Sequence, residues 1–172
     1  MKSIYSKIKK CRNCKSTKLI KLFSLGNLNF TGKFSKKNTN IKKGPINLIM
    51  CSKCKLIQLA NKFNLRYLYG PDYGYKTSVN LTMKSHMKKM AKNLSIKTKL
   101  KKKDQVLDIA SNDGTLLNFY KPGTITFGMD PILKKYIKNY KNITFKINDF
   151  FSGQKVKNNT FKKFKIITAL SV

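Results

Sequence analysis

The chain has no glutamate, two arginines and one histidine among its 172 residues. Its only acids are six aspartates. No apolar run approaches the ~20 residues that a membrane-spanning helix needs. The N-terminal stretch MKSIYSKIKKCRNC is basic but has no apolar core, so no signal peptide is expected. These absences predict a cytoplasmic chain with no membrane role. Two glycine signatures are also missing. Without GxGxxG there is no dinucleotide fingerprint, and without GxxxxGK there is no phosphate-binding loop of the NTPase kind. No internal repeat is present.

What the chain has in excess is lysine. The formal charge is +32. A selected nucleic-acid surface clusters its charge and favours Arg, whose planar fork suits phosphate. Here Lys and Asn are spread evenly and Arg stands only at Arg12 and Arg66. That pattern reads as compositional drift from an AT-biased coding sequence. Polyanion binding is expected only as weak, non-specific, salt-sensitive contact.

The four cysteines form two pairs, CRNC at Cys11 and Cys14 and CSKC at Cys51 and Cys54, with 36 residues between the pairs. Two short knuckles that each present two thiolates can close a tetrahedron around Zn²⁺, and four protein ligands leave no open position. The expected role is structural: a small N-terminal part lacks the core to fold unaided. Iron also suits a four-cysteine set. Disulfides are disfavoured in a cytoplasmic chain. Possible strands lie at KLIKLFSL, INLIM and KLIQLA, with a polar Lys/Asn loop around Lys33 to Lys43.

From Ser78 to Leu94 the apolar residues Val79, Met83, Met87, Met90, Ala91 and Leu94 recur at helical spacing, with Thr77 or Ser78 as a cap. The segment KTKLKKKD then reads as a solvated connector. Beyond it the pattern alternates. QVLDIA, TITFGMD, ITFKIND and FKIITALSV read as strands, and TLLNFY and PILKKYIKNY as helices between them. This is the signature of a parallel α/β sheet. The expected domains are a zinc-binding domain over 1–76, a connecting helix and linker over 77–103, and a sheet domain over 104–172.

In such sheets ligands bind beyond the C-terminal strand ends. The first strand ends in DIASNDG, where Asp108 can orient a ligand and the small Ala110 and Ser111 permit close approach. Asp130 follows Asp108 by 22 residues, the spacing at which an acid after the second strand grips ribose hydroxyls. Asp149 could meet an adenine amino group and Phe150 its ring. Asp is also common in turns, and Asp113 taken alone reads as a turn residue.

CRNC, CSKCKLIQL, YGPDYGYKTSVNLTMKSH, LDIASNDGTLL and GMDP, in this order, resemble the S-adenosylmethionine-dependent sugar C-methyltransferases of deoxysugar pathways. The resemblance runs from Cys11 to Val172. It implies an N-terminal zinc-binding domain followed by the first half of a Rossmann-like methyltransferase sheet. It implies methyl transfer to carbon of a nucleotide-linked, dTDP-type 4-keto-6-deoxysugar through an enolate. By this resemblance Cys11, Cys14, Cys51 and Cys54 hold zinc. Asp108, Ser111, Asn112, Asp113, Gly114, Asp130, Asp149 and Phe150 hold the cofactor. Tyr73, Tyr75 and His86 lie on the sugar side. The residues alone leave packing roles open for these last three. Family members are longer, and their catalytic-base region lies beyond Val172, so a truncated member is expected, with weak cofactor binding and no independent catalysis. The catalytic residue is then unknown, His86 being the one candidate present, and a second chain could complete the sheet. A zinc-ribbon methyltransferase acting on RNA and a non-catalytic zinc scaffold remain the competing readings.

Overall fold

A computed structural model describes residues 4–30, 32–34, 41–160 and 162–172. Residues 35–40, the centre of the expected Lys/Asn loop, lie outside the described residues. The chain forms two compact units, Met1–Gly74 and Tyr75–Val172.

In the first unit β1 (Tyr5–Lys7) will pair with the later β5 (Asn61–Phe63), antiparallel. A second antiparallel sheet joins β2 (Leu19–Asn29), β3 (Lys43–Cys51) and β4 (Ile57–Leu59) in that order. These are the three strands expected at KLIKLFSL, INLIM and KLIQLA. The β2–β3 register shifts twice, between Lys21 and Phe23 and between Ser24 and Asn27. A short helix, α1 (Leu65–Leu68), is capped by Asn64, whose Oδ1 accepts from the Arg66 N–H. The packing is largely aromatic: Phe30 meets Phe63 and Tyr67, each at 5.5 Å between ring centroids. A Cβ at Gly44 would lie 2.7 Å from both the Phe30 and Phe63 rings, so glycine is required for this approach.

The second unit opens with α2 (Leu81–Lys97). Its sheet is fully parallel and contains β6 (Gln105–Ile109), β7 (Ile125–Met129), β8 (Phe145–Ile147) and β9 (Ile166–Ala169), in the order β8-β7-β6-β9. Neighbouring strand residues point to opposite faces. Val106 accordingly joins a core with Met87 and Ala91 of α2, Leu117, Leu133 and Tyr140. Leu107 joins a second core with Phe127, Met129 and Val156. Phe127 stacks on Phe145 at 4.3 Å and meets Phe164 edge-on at 5.0 Å. Val156 is carried by α3 (Gly153–Lys157), a helix that the apolar pattern did not reveal.

Three expectations are corrected. Helix α2 begins at Leu81, and its cap is Asn80, whose Oδ1 accepts from Met83 N–H at 2.9 Å. Thr77–Val79 instead forms a 3-10 turn, and Val79 is 74% exposed. The cause is tertiary: the Thr77 and Ser78 amides donate to Asn112 and Asp113, which holds them out of the helix. The other apolar positions of the stripe do pack on the core. TLLNFY yields one 3-10 turn, Leu117–Phe119. PILKKYIKNY yields a 3-10 run, Leu133–Asn139, broken at Tyr136. Here the Lys134 N–H, a first-turn donor with no partner inside the run, donates to Asn148 Oδ1 at 2.7 Å.

Candidate functional site

The first unit gathers its four cysteines. The ligand atoms of Cys11, Cys14, Cys51 and Cys54 all lie within 4.8 Å of one another. Cys14 and Cys51 bring their sulfurs to 3.5 Å, and Cys11 and Cys54 to 3.6 Å. A tetrahedron with Zn–S bonds of ~2.3 Å has edges of about 3.8 Å, so the donor set and its spacing fit zinc.

The two knuckles repeat one backbone design. In each, the residue after the second cysteine is a lysine in the left-handed region, Lys15 at φ 63° and Lys55 at φ 60°. Their N–H groups donate to the carbonyls of Cys11 and Cys51 at 3.1 and 2.9 Å. The turns also aim N–H groups at sulfur. The Cys54 N–H, against opposing burial, lowers the Cys51 thiol from its ordinary value. Burial acts upward on Cys11, but the Cys14 and Asn13 N–H groups and the Gln58 amide outweigh it and bring the thiol down to about 6. Cys14 moves the other way: against the lowering Ser16 N–H, burial and the Cys51, Cys54 and Cys11 thiols push it up to about 11. Cys11 and Cys51 are therefore the thiols disposed to ionise as ligands.

The second unit gathers a different set. Ile109 of β6, Met129 of β7, Ile147 of β8 and Ala169 of β9 stand in register, so the residues following the strands emerge along one edge of the sheet. Asp108, Asp130 and Asp149 all belong to this edge. The turn after β6 is strained: Ala110 at φ 55°, Asn112 at φ 50° and Gly114 at φ 73° are left-handed. Such conformations are concentrated at functional sites.

Asp108 is buried, and Thr168 on β9 donates to its Oδ1 at 2.6 Å. Burial, aided by repulsion from Asp130, pushes its carboxyl up to about 7 against the downward pull of the Thr168 hydroxyl. Asp130 accepts from the N–H groups of Asn112 and Ile132, both at 2.8 Å, and burial raises its carboxyl despite them. It thereby ties the end of β7 to the β6 turn. The buried Tyr120 hydroxyl has no hydrogen-bond partner among the described residues, and Asp108 adds to burial in raising it to about 12.

The Ser111 hydroxyl lies 2.9 Å from Tyr140 Oη, which donates to the Asn112 carbonyl at 2.7 Å, so Ser111 is the donor in that pair. The Asn112 and Asp113 side chains hold the segment before α2: Asn112 Oδ1 accepts from the Thr77 N–H and hydroxyl, its Nδ2 donates to the Tyr75 carbonyl, and Asp113 Oδ2 accepts from the Ser78 N–H. Gly114 is fixed by contact, since a Cβ there would lie 2.6 Å from Ile143. Asp149 pairs with Lys155 and accepts from the Phe150 N–H at 2.8 Å. Tyr75 is 40% exposed, and its carbonyl also accepts from Tyr136 Oη at 3.2 Å. Tyr73 belongs to the first unit, where its ring lies 5.3 Å from that of Tyr69. His86 lies exposed on α2 and is not drawn into the acidic strand-end cluster.

Sequence reasoning did not single out Tyr140 or Thr168. An isolated Tyr in an expected helix gives no sign that its hydroxyl ends under a turn. Tyr140→Phe is expected to cost the second unit about 1–2 kcal/mol, because it strands the buried Ser111 hydroxyl and removes a bond to the Asn112 carbonyl. Urea unfolding measures this, and an unchanged midpoint would contradict it.

Among the described residues no helix is long and apolar enough to cross a membrane. Residues 11–69, which include all four cysteines, match the family model Methyltransf_13, described as a zinc binding domain. No curated protein matches the chain. The first unit thus carries a methyltransferase-associated zinc-binding domain.

Proposed function

We propose that the chain serves S-adenosylmethionine-dependent methyl transfer to carbon of a nucleotide-linked 4-keto-6-deoxysugar. The observation that carries the reading is the match of residues 11–69 to a methyltransferase-associated zinc-binding domain. The second unit supports it. Its strand order, third-second-first-fourth in chain sequence, agrees with the start of a doubly wound, Rossmann-like sheet.

The chemistry at the strand ends suits the cofactor. Asp130 keeps lone pairs beyond those used by the Asn112 and Ile132 amides, and these can accept from ribose hydroxyls. Asp108 adds a buried carboxyl at the end of β6, and Tyr120 a buried hydroxyl with no partner among the described residues. Asp149 and Phe150 follow β8 at the same edge, on the adenine side of this reading. When bound, S-adenosylmethionine supplies an electrophilic methyl group on a sulfonium. Tyr75 is assigned to the sugar side, fixed in place by Asn112 and Tyr136. Tyr73 and His86 keep the same assignment from the sequence resemblance. A ketone acidifies the neighbouring C–H, so the acceptor chemistry needs a base and a donor to the enolate oxygen.

Calorimetric titration of the zinc-loaded chain with S-adenosylhomocysteine tests this. Saturable binding is expected, with a loss of at least tenfold in affinity for Asp130→Ala. A folded chain that gives no binding heat would refute the cofactor assignment. A parallel titration with RNA should give only sequence-independent association that fades as salt rises.

A further inference from the structure

The Gln58 side chain is buried in β4, with 7% of the residue exposed. It lies directly across from Ile49 of β3, two residues before the ligand Cys51. An apolar side chain of similar size would fill this volume, and burying an amide without partners is costly. Its partners explain its presence. Oε1 accepts from the Arg12 backbone N–H at 3.1 Å and from Arg12 Nη1 at 3.4 Å. Nε2 donates to Cys11 Sγ at 3.4 Å. The amide orientation follows from the network: both Arg12 groups are obligate donors, so the end facing them is oxygen and the end facing sulfur is the NH₂ group.

Arg12 is itself fixed at both forks. Nη1 donates to the Leu59 carbonyl at 2.7 Å and Nη2 to the Asn61 carbonyl at 2.9 Å. It lies inside the first knuckle, between Cys11 and Cys14, while Gln58 stands four residues after Cys54 of the second. The Arg12–Gln58 pair therefore joins the two halves of the metal site through side chains that are not ligands. Partners of this kind orient ligands and tune their donor strength. A zinc ion with four thiolates keeps a net charge of −2, which an N–H aimed at sulfur and a nearby guanidinium both offset.

We propose that Gln58, aimed by Arg12, is a positioning residue of the metal centre that holds and polarises Cys11 through an N–H to sulfur hydrogen bond. This rests on the zinc reading of the four cysteines. The test uses the full chain, stripped and reloaded, in competition with a chromophoric chelator for Zn²⁺, and records the thiolate-to-metal absorption of the Co²⁺ form. Gln58→Glu keeps an oxygen for Arg12 but turns an acceptor toward Cys11. Gln58→Leu keeps volume and removes all three bonds. Zinc affinity is expected to fall roughly 10–100-fold in both, with a shifted Co²⁺ charge-transfer band. Wild-type affinity and an unmoved band in both variants would overturn the proposal and leave the zinc reading intact. A wild-type chain that takes up neither metal would overturn both.

Discussion

Stripping zinc from the loaded chain unfolds the first unit and leaves the second folded. Among the described residues the first unit buries five apolar residues, Cys11, Phe30, Ile49, Cys51 and Ala60, and two of these are cysteines of the zinc cluster. Ile20, Phe23, Leu25 and Leu28 of β2 are 46–57% exposed. Small domains with so little core depend on a metal or a cross-link. Structural zinc contributes an apparent ~10–16 kcal/mol, which is as large as the whole stability of a typical domain. Its removal should therefore abolish the fold of this unit. Amide exchange reads the two units separately. With a strong chelator, protection is expected to vanish in β2 and β3 and to persist in β6 and β7. Protected β2–β3 amides in metal-free protein would show that the aromatic cluster suffices. Cys11→Ser should reproduce the chelator result.

Asp108→Asn is expected to stabilise the second unit at pH 8 and to leave it unchanged near pH 4. The carboxyl of Asp108 is raised by burial from 3.8 to about 7. The native state therefore holds a proton that the unfolded chain releases. The stabilising contribution of that proton is complete below about pH 4 and is lost as pH rises through 7. Above that range a charged carboxylate remains buried, against the field of Asp130. An asparagine still accepts from the Thr168 hydroxyl and carries no charge. The expected gain at pH 8 is at most roughly 4 kcal/mol, a rise in melting temperature of up to about 15–30 °C for a unit of this size. Thermal melts of both proteins at pH 4.5, 6 and 8 measure it. A difference that does not change with pH would locate the effect in packing instead of charge.

The readable parts of this molecule are those whose cause is local. The spacing of Cys11, Cys14, Cys51 and Cys54 announces a metal because each knuckle is a self-contained turn. Short apolar runs bounded by turn residues announce β2, β3 and the parallel strands. What the sequence concealed depends on partners far along the chain. Asn80 caps α2 because Asn112 and Asp113 have already taken the amides of Thr77 and Ser78. PILKKYIKNY has the composition of a helix, yet Tyr140 is used to reach Ser111 and Asn112, and a 3-10 path results. Gln58 looks like one polar residue in a strand, and only its distance to Cys11 gives it meaning. For the strand-end acids the spacing of Asp108 and Asp130 was legible, whereas Thr168, 60 residues from Asp108, was not.

The placement of the aspartates has a colloidal consequence. Asp108, Asp113 and Asp130 are buried in the second unit, away from bulk solvent. Asp72 and Asp149 are paired with Lys33 and Lys155. Of six acids, that leaves Asp104 to face the other 36 of 38 cationic side chains, and its Oδ2 already accepts from the Lys101 N–H. The exterior therefore behaves as a macroion of one sign, dressed by an ionic atmosphere about 8 Å thick at physiological salt. Copies repel one another, which opposes aggregation. Within a copy the same repulsion works against compaction, so dissolved salt becomes part of what keeps the chain folded.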